Sequence, residues 1–366
     1  MFERIKMKKT ALNIEHIKLK AKLVSFAGYQ MPIMYDKINN EYQAVRNSSA
    51  VFDVSHMGQI KITGDDAEKF IQKLTINNVE NIKPFEAQYS AMCNLEGGFI
   101  DDLILFKFST TEYIIIVNAS NKSKVLDWIN LHKSQFNINL YDMNNDYSLI
   151  ALQGPQSRHI LQKISSDKID IKFYHLMNTK LLNQDVILSR TGYTGELGFE
   201  ILAKHTSIIK IWNYLLQNNV SPAGLAVRDI LRLEMKYCLY GNDIDDSTNP
   251  FEAGLSWILD LDKKEFLGKN RLLEIKSNKL TKKLCGFIML EKAIPRKGYA
   301  IYSNDQKIGI VTSGNHSPKL SQGIGLGYIN LGYHKIGNII SIEIRNKLVN
   351  AEIVKTPFIN QTSLFD

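Results

Sequence analysis

Apolar side chains recur at helical spacing over residues 67–74, where positions 67, 70, 71 and 74 form one stripe. A stripe of that period predicts an amphipathic helix. Residues 123–131 and 206–217 predict two more, and over 226–237 Ala226, Ile230, Leu233 and Tyr237 fall on one face. Short runs suited to strands lie between them. Residues 99–108 and 112–118 predict two strands joined by the turn-like link Ser109-Thr110-Thr111. Residues 148–152 predict another, after which Gln153-Gly154-Pro155 opens a helix with proline near its first turn, where a missing N–H costs nothing. Residues 186–190 and 199–202 predict a hairpin pair around the glycine-rich stretch 191–198. From about residue 283 the helical period stops. Strands over 283–290, 307–312, 325–329 and 339–344 are separated by Gly, Pro, Asn and Ser clusters, the mark of a compact barrel or sandwich. The expected organisation is an α+β body over residues 7–280 and an all-β domain over 281–359.

A length of 366 residues exceeds what one core organises and suits two or three domains. The 45 Lys and Arg against 37 Asp and Glu leave a net charge of +8, which attracts anionic partners. The basic residues are scattered, with no tract interleaved with aromatics, so nucleic acid is not the expected partner. No stretch approaches the roughly 20 apolar residues of a membrane helix. The three cysteines, Cys93, Cys238 and Cys285, are far apart, and the eight histidines form no His-Glu-x-x-His pattern. Neither a disulfide framework nor a structural zinc site is expected, and a reducing compartment fits best. Residues 1–10 carry four basic groups and Glu3 but lead into no apolar run. They do not read as a secretory signal, and a start at Met7 is the plainer expectation.

Three segments carry candidate chemistry. In Asn94-Leu-Glu-Gly-Gly-Phe-Ile-Asp-Asp-Leu-Ile-Leu105, two adjacent carboxylates interrupt a run that otherwise suits a buried strand. Alternation sends Asp101 and Asp102 to opposite faces and groups Asp102 with Ile100, Ile104 and Phe106. A carboxylate on that face needs a partner or a polar cavity. One of the pair is expected to cap the Gly97-Gly98 turn and the other to be the exception. In Arg190-Thr-Gly-Tyr-Thr-Gly-Glu-Leu-Gly-Phe-Glu200, three glycines in seven residues permit close approach of backbone to a ligand. There Tyr193, Glu196 and Glu200 supply an aromatic face and two acceptors. A carboxylate such as Glu200 suits a ligand that presents amide-like N–H donors; a solvated hairpin loop is the alternative. In the third segment Arg228 and Arg232 lie four apart, off the apolar stripe. A cation near a helix start opposes the macrodipole, so Arg228 calls for an anionic ligand or a buried acid, unless both arginines simply lie on the surface.

Two further patterns point to structure. Gly323-x-Gly-x-Gly327 has no strand-to-helix turn around it and suits a β-domain turn. Asp53, Ser55 and His56 crowd one segment too tightly for a nucleophile triad, and His56 reads as structural.

The order of motifs along the chain carries more than any one of them. Phe26-Ala-Gly-Tyr-Gln-Met-Pro32, Phe52-Asp-Val-Ser-His-Met-Gly58, Tyr89-Ser-Ala-Met-Cys-Asn94, Gly97-Gly-Phe-Ile-Asp-Asp102 and Leu152-Gln-Gly-Pro155 resemble the pattern of the folate-binding glycine cleavage T-protein family. So do the stretch 190–200, Gly224-Leu-Ala-Val-Arg-Asp229, Leu239-Tyr-Gly-Asn-Asp-Ile-Asp245, Asn249-Pro-Phe-Glu252, Thr312-Ser-Gly314 and Pro357-Phe358. The likeness runs from about residue 10 to 358. Tyr29 stands where the family usually has Trp, and Thr10-Ala11 where it has Thr-Pro.

The resemblance implies an α+β fold of three domains around a central channel, with ferredoxin-like α/β domains and a C-terminal β-barrel. It implies transfer of a one-carbon unit from an aminomethyl-dihydrolipoyl arm, carried by the H protein, to tetrahydrofolate, with release of ammonia and no metal. It places Asp102, as the catalytic carboxylate, beside folate N10, Glu200 at the pterin amino edge and Arg228 in the folate site. Tyr89, Asn118, Tyr193 and Tyr237 would line the channel, and no residue after Phe358 is assigned to the ligand. A monomer is expected in isolation, in the cytoplasm of a bacterium or the mitochondrial matrix of a eukaryote. Two rival relatives fit less well. Sarcosine and dimethylglycine dehydrogenases need room for a flavin module, and folate-dependent RNA-modification or iron–sulfur assembly factors carry a Lys-Gly-Cys-x-x-Gly-Gln-Glu motif absent here.

Overall fold

The computed structural model describes residues 7–366; the expected start at Met7 concerns residues 1–6, which lie outside them. Two units share one plan. In the first, strand Gly58–Thr63 leads to helix Ala67–Leu74, then strands Phe99–Ser109 and Glu112–Val117, helix Lys122–His132 and strand Asn139–Asp142. The sheet order is Glu86–Cys93, Phe99–Ser109, Glu112–Val117, Gly58–Thr63, Asn139–Asp142, all antiparallel. That is a ferredoxin-like arrangement with one strand added at an edge. The second unit repeats it with strands Tyr147–Gln153, Gln184–Ser189, Gly198–Lys204 and Ser221–Pro222 and helices Ser157–Gln162 and His205–Gln217. Its added edge strand is Leu176–Leu181, and strand Ala50–Asp53 from earlier in the chain is wedged beside Tyr147–Gln153.

Burial follows the periodicity. Ala67, Phe70, Ile71 and Leu74 are buried against Ile60, Ile62, Tyr113 and Ile115 on one face of the first sheet. On the second sheet Ile208, Ile211, Trp212 and Leu215 cover Ile150, Leu152, Phe199 and Ile201. The remaining faces of the two sheets meet each other. Phe106, Ile114 and Ile116 of the first pack with Phe52, Leu149, Ala151 and Leu202 of the second. This shared apolar layer positions the site, because Asp102 and Glu200 stand at period-two positions of Phe106 and Leu202. Each sheet thus ends its facing stripe on a carboxylate.

Residues 282–354 form a closed six-stranded barrel in the order Lys282–Met289, Gln322–Asn330, Gln306–Ser317, Ala300–Ser303, Ile339–Ile344, Lys347–Val354. Ala300–Ser303 and Lys347–Val354 carried no strand prediction; the latter mixes apolar and polar residues on a barrel wall exposed on one side. The 323–327 glycines lie in a strand and not in a turn. A β-carbon on Gly325 would stand 2.5 Å from the Phe287 ring, so glycine there lets the barrel close.

Two further expectations are corrected. The strand pair 86–93/99–109 carries a bulge, Cys93 facing Phe99 and Met92 facing Asp101. The extra residue, Ile100, therefore joins Leu103 and Leu105 on the face opposite Asp102. The last predicted helix spans Leu225–Glu234, and Lys236 turns the chain away with φ +58°. Tyr237 thus lies past the helix and Ala226 is half-buried, while Ile230 and Leu233 are buried as expected, together with Val227 and Leu231.

Candidate active site

Where the two sheets and the barrel meet, the chain encloses a cavity of about 1400 Å³. Tyr89, Asp102, Asn118, Tyr193, Glu200, Arg228 and Tyr237 all line it, although they come from segments as far apart as residues 89 and 237.

The two adjacent carboxylates divide their tasks. Asp101 has no exposed surface; it accepts from the Asn118 backbone N–H at 2.8 Å, Asn118 Nδ2 at 2.9 Å and Asn121 Nδ2 at 2.6 Å. It holds the strand end to the start of the next helix. Asp102 faces the cavity, accepting from the Tyr89 hydroxyl at 2.8 Å and from Asn118 Nδ2 at 2.8 Å. Neither caps the Gly97-Gly98 turn, contrary to expectation. Asn94 does so, its Oδ1 accepting from Gly98 N–H at 2.9 Å, the usual work of asparagine in a turn. Burial raises the pKa of both acids. The charge of Asp102 raises Asp101 further, and that of Asp243 raises Asp102, against the opposing bonds from Asn118, Asn121 and Tyr89.

Across the cavity, strand Gly198–Lys204 begins with glycine because a β-carbon there would meet the Gln153 amide at 2.3 Å. Two residues on, Glu200 receives the Thr191 hydroxyl on Oε2 at 2.5 Å, and Oε1 makes no bond among the described residues. Glu196 does not join it. That side chain is buried, bound by Arg46 at 2.7 Å and by the N–H and hydroxyl of Ser363 at 2.8 and 2.6 Å. It serves as an anchor for the C-terminal segment, whose Leu364 and Phe365 line the cavity. Arg190 anchors the same segment through the carbonyls of Leu364 and Asp366.

The helix Leu225–Glu234 supplies two unlike arginines. Arg232 is buried and fully engaged, with Asp243 at 2.6 Å, Asp229 at 2.8 Å and Ser313 of the barrel at 2.9 Å. It is a tie between body and barrel and not a surface residue. Arg228 stands over the Tyr193 ring at 4.7 Å, and its buried Nη1 has no partner among the described residues. No acid meets it, so the expected buried acid is absent there and an acceptor in the cavity remains. Burial lowers its pKa, with the charge of Glu200 opposing. Tyr193 and Tyr237 stack at 5.6 Å and 24°, and the Tyr193 hydroxyl donates to the Cys238 carbonyl. Burial, ahead of every other cause, raises both phenols.

Asn77, His56 and Trp257 also line the cavity, and none was assigned to it from sequence. Asn77 and Trp257 lie in stretches with no periodic signal. Trp257 is 70% exposed, its ring 5.8 Å from that of Tyr89. His56 packs edge-on against Phe26 at 5.5 Å, and burial pushes it down to about 4, so it is neutral. Asp53 pairs instead with His16 at 2.9 Å and Thr10 at 2.7 Å, while Ser55 donates to the Leu149 carbonyl. The crowded Ser, His and Asp thus form no triad.

The family model described as the GCVT N-terminal domain matches residues 12–263, and that of the glycine cleavage T-protein C-terminal barrel domain matches 282–360. An aminomethyltransferase of Halothermothrix orenii is 44% identical, covering 96% of this chain and 100% of its own. One of Thermosipho melanesiensis is 47% identical, covering 96% and 97%. The crystal structure of glycine cleavage system aminomethyltransferase T from Bartonella henselae superposes with a TM-score of 0.93 at 29% identity, covering 98% of this chain and 99% of that one. With both family domains matched in order and relatives alike over nearly their whole length, this chain belongs to the glycine cleavage T-protein family of aminomethyltransferases.

Proposed function

We propose that the cavity binds tetrahydrofolate and receives the aminomethyl-loaded lipoyl arm of an H protein beside it, with Asp102 between them. The observation that carries this reading is the convergence of seven side chains from distant segments on one cavity, with a half-buried carboxylate at Asp102 and an unpartnered guanidinium at Arg228. The cavity of about 1400 Å³ exceeds the roughly 300–1,000 Å³ of most single-ligand sites, which suits two substrates meeting inside. The donor set fits a reduced pterin. Glu200 offers a free oxygen to paired N–H donors, Arg228 offers N–H to a carbonyl or carboxylate, and Tyr193 and Tyr237 offer flat faces.

Bound folate would supply two nitrogens to take the carbon as the carbon–sulfur bond breaks, ammonia leaves and the arm returns as a thiol. The residues' part is to place and balance charge. Tyr89 and Asn118 each occupy one oxygen of Asp102, fixing its carboxylate toward the cavity with lone pairs to spare. Held away from bulk water, such a fixed charge would steady a developing cation and could accept a proton from a folate nitrogen. Asp101, fully engaged below, fixes Asn118 and through it the orientation of Asp102. Titration calorimetry with tetrahydrofolate tests the reading. Glu200→Gln and Arg228→Met should each weaken binding by about tenfold or more, the loss of one charge-assisted bond. Affinity equal to wild type in both variants would remove the pterin from this site.

A further inference from the structure

One buried cation outside the cavity meets no carboxylate. Lys263 is only 4% exposed. Its Nζ donates to the carbonyls of Thr75 at 2.6 Å and Asn77 at 2.9 Å, and stands 5.2 Å from the centre of the Phe266 ring. It makes no ion pair among the described residues, unlike Arg46 and Arg232, which each hold two carboxylates. A charge buried in this way is costly, and a neutral donor could have met the same two carbonyls. The charged groups that face it are Asp260, Glu80 and Lys269. Burial pushes it down to about 7, Lys269 adding to the fall and the two carboxylates opposing it. Its charge therefore changes near neutrality.

The turn that carries those carbonyls is laced to the strand Glu86–Cys93. Asn77 Nδ2 donates to the Tyr89 carbonyl at 3.0 Å, Asn77 N–H to the Ser90 hydroxyl at 3.2 Å and Ile76 N–H to the Ala91 carbonyl at 2.9 Å. Tyr89 in turn gives its hydroxyl to Asp102 at 2.8 Å. Trp257, on the chain leading to Lys263, lies against the same Tyr89 ring at 5.8 Å. A continuous line of contacts thus runs from Lys263 through Asn77 and Tyr89 to Asp102. We propose that Lys263 is a positioning residue for Asp102, its ammonium holding Asn77, and through Asn77 the main chain of Tyr89, where the Tyr89 hydroxyl fixes the carboxylate. This rests on the role given to Asp102 in the proposed function. A neutral lysine keeps two N–H groups but loses the charge that strengthens their bonds, so the turn loosens as the proton leaves.

The test follows turnover against pH, with loaded carrier and tetrahydrofolate saturating, beside folate affinity by titration calorimetry. Wild type should lose turnover as pH rises through about 7, with folate affinity unchanged. Lys263→Met fills similar space without the charge. It should turn over about tenfold more slowly or worse, the effect of a misplaced catalytic group, and show no fall at that pH, while binding folate as wild type does. Asn77→Ala should be slowed to a similar degree, and the double variant no further, because both break one line of contacts. Wild-type turnover in Lys263→Met, a basic limb that survives in it, or losses that add in the double variant would each overturn the inference and leave the role of Asp102 standing. Should Lys263→Met not fold, the wild-type profile decides: a fall through that range at constant folate affinity sustains the inference, and a flat profile overturns it. Asp102→Asn with wild-type turnover would remove the reading on which it rests.

Discussion

Asp102 is the residue on which the chemistry turns, and its surroundings make its titration readable. Burial and the charge of Asp243 raise its pKa above the ordinary carboxylate value near ~3.9. The ionised form is the one proposed to act, so activity should fall as pH drops through that raised value. Turnover of the wild type, followed against pH with carrier and folate saturating, should show an acidic limb at higher pH than an ordinary carboxylate gives. Asp102→Asn should lose about 10²–10⁴ in turnover together with that limb. An unchanged limb in the variant would assign it to another group. Asp102 was legible in the sequence as a carboxylate on an apolar face, but its neighbours on that face were not all legible. Ile100 moved to the other side because a bulge adds a residue, and a bulge depends on a partner strand that local pattern does not reveal. Its separation from Asp101 was visible as alternation, whereas the capping role given to one of the pair belongs to Asn94.

Among the elements, the helix Leu225–Glu234 connects chemistry to architecture. One face is buried under the apolar layer, Arg228 points to the cavity, and Arg232 reaches Asp243 and the barrel residue Ser313. Removing Arg232 leaves Asp243 buried without its partner, which costs about 3–5 kcal/mol. Arg232→Met should therefore lower the denaturation midpoint sharply, and Arg232→Met with Asp243→Asn should recover part of the loss. If the single variant melts as wild type does, the tie between body and barrel is not at Arg232. Helices and strands with clean periods, such as 67–74 and 339–344, were legible to the residue. The end of this helix was not, because Lys236 occupies a left-handed position that usually announces itself as glycine. Trp257 and Asn77 escaped for another reason: they reach the cavity from a three-residue 3₁₀ turn and a loop, both too short for a period to mark which way a side chain points.

Over the whole molecule, two similar units face each other and a barrel closes one side, leaving a cavity whose walls belong to no single element. The net charge of +8 gives the molecule as a whole a long-range attraction for an anionic carrier. Raising ionic strength from about 0.01 to 0.15 M shortens the screening length from about 30 to 8 Å. The KM for an acidic lipoyl carrier should accordingly rise with salt more steeply than kcat falls. A KM indifferent to salt would show that long-range charge does not assist docking. The central claim, that folate and the loaded arm meet at Asp102, is tested most directly by single-turnover ammonia release from aminomethyl-loaded carrier. With tetrahydrofolate present the wild type should release ammonia rapidly, and without it far more slowly. Asp102→Asn should bind folate and still release ammonia slowly. Release by wild type at the same rate with and without folate, or by Asp102→Asn at the wild-type rate, would contradict the claim.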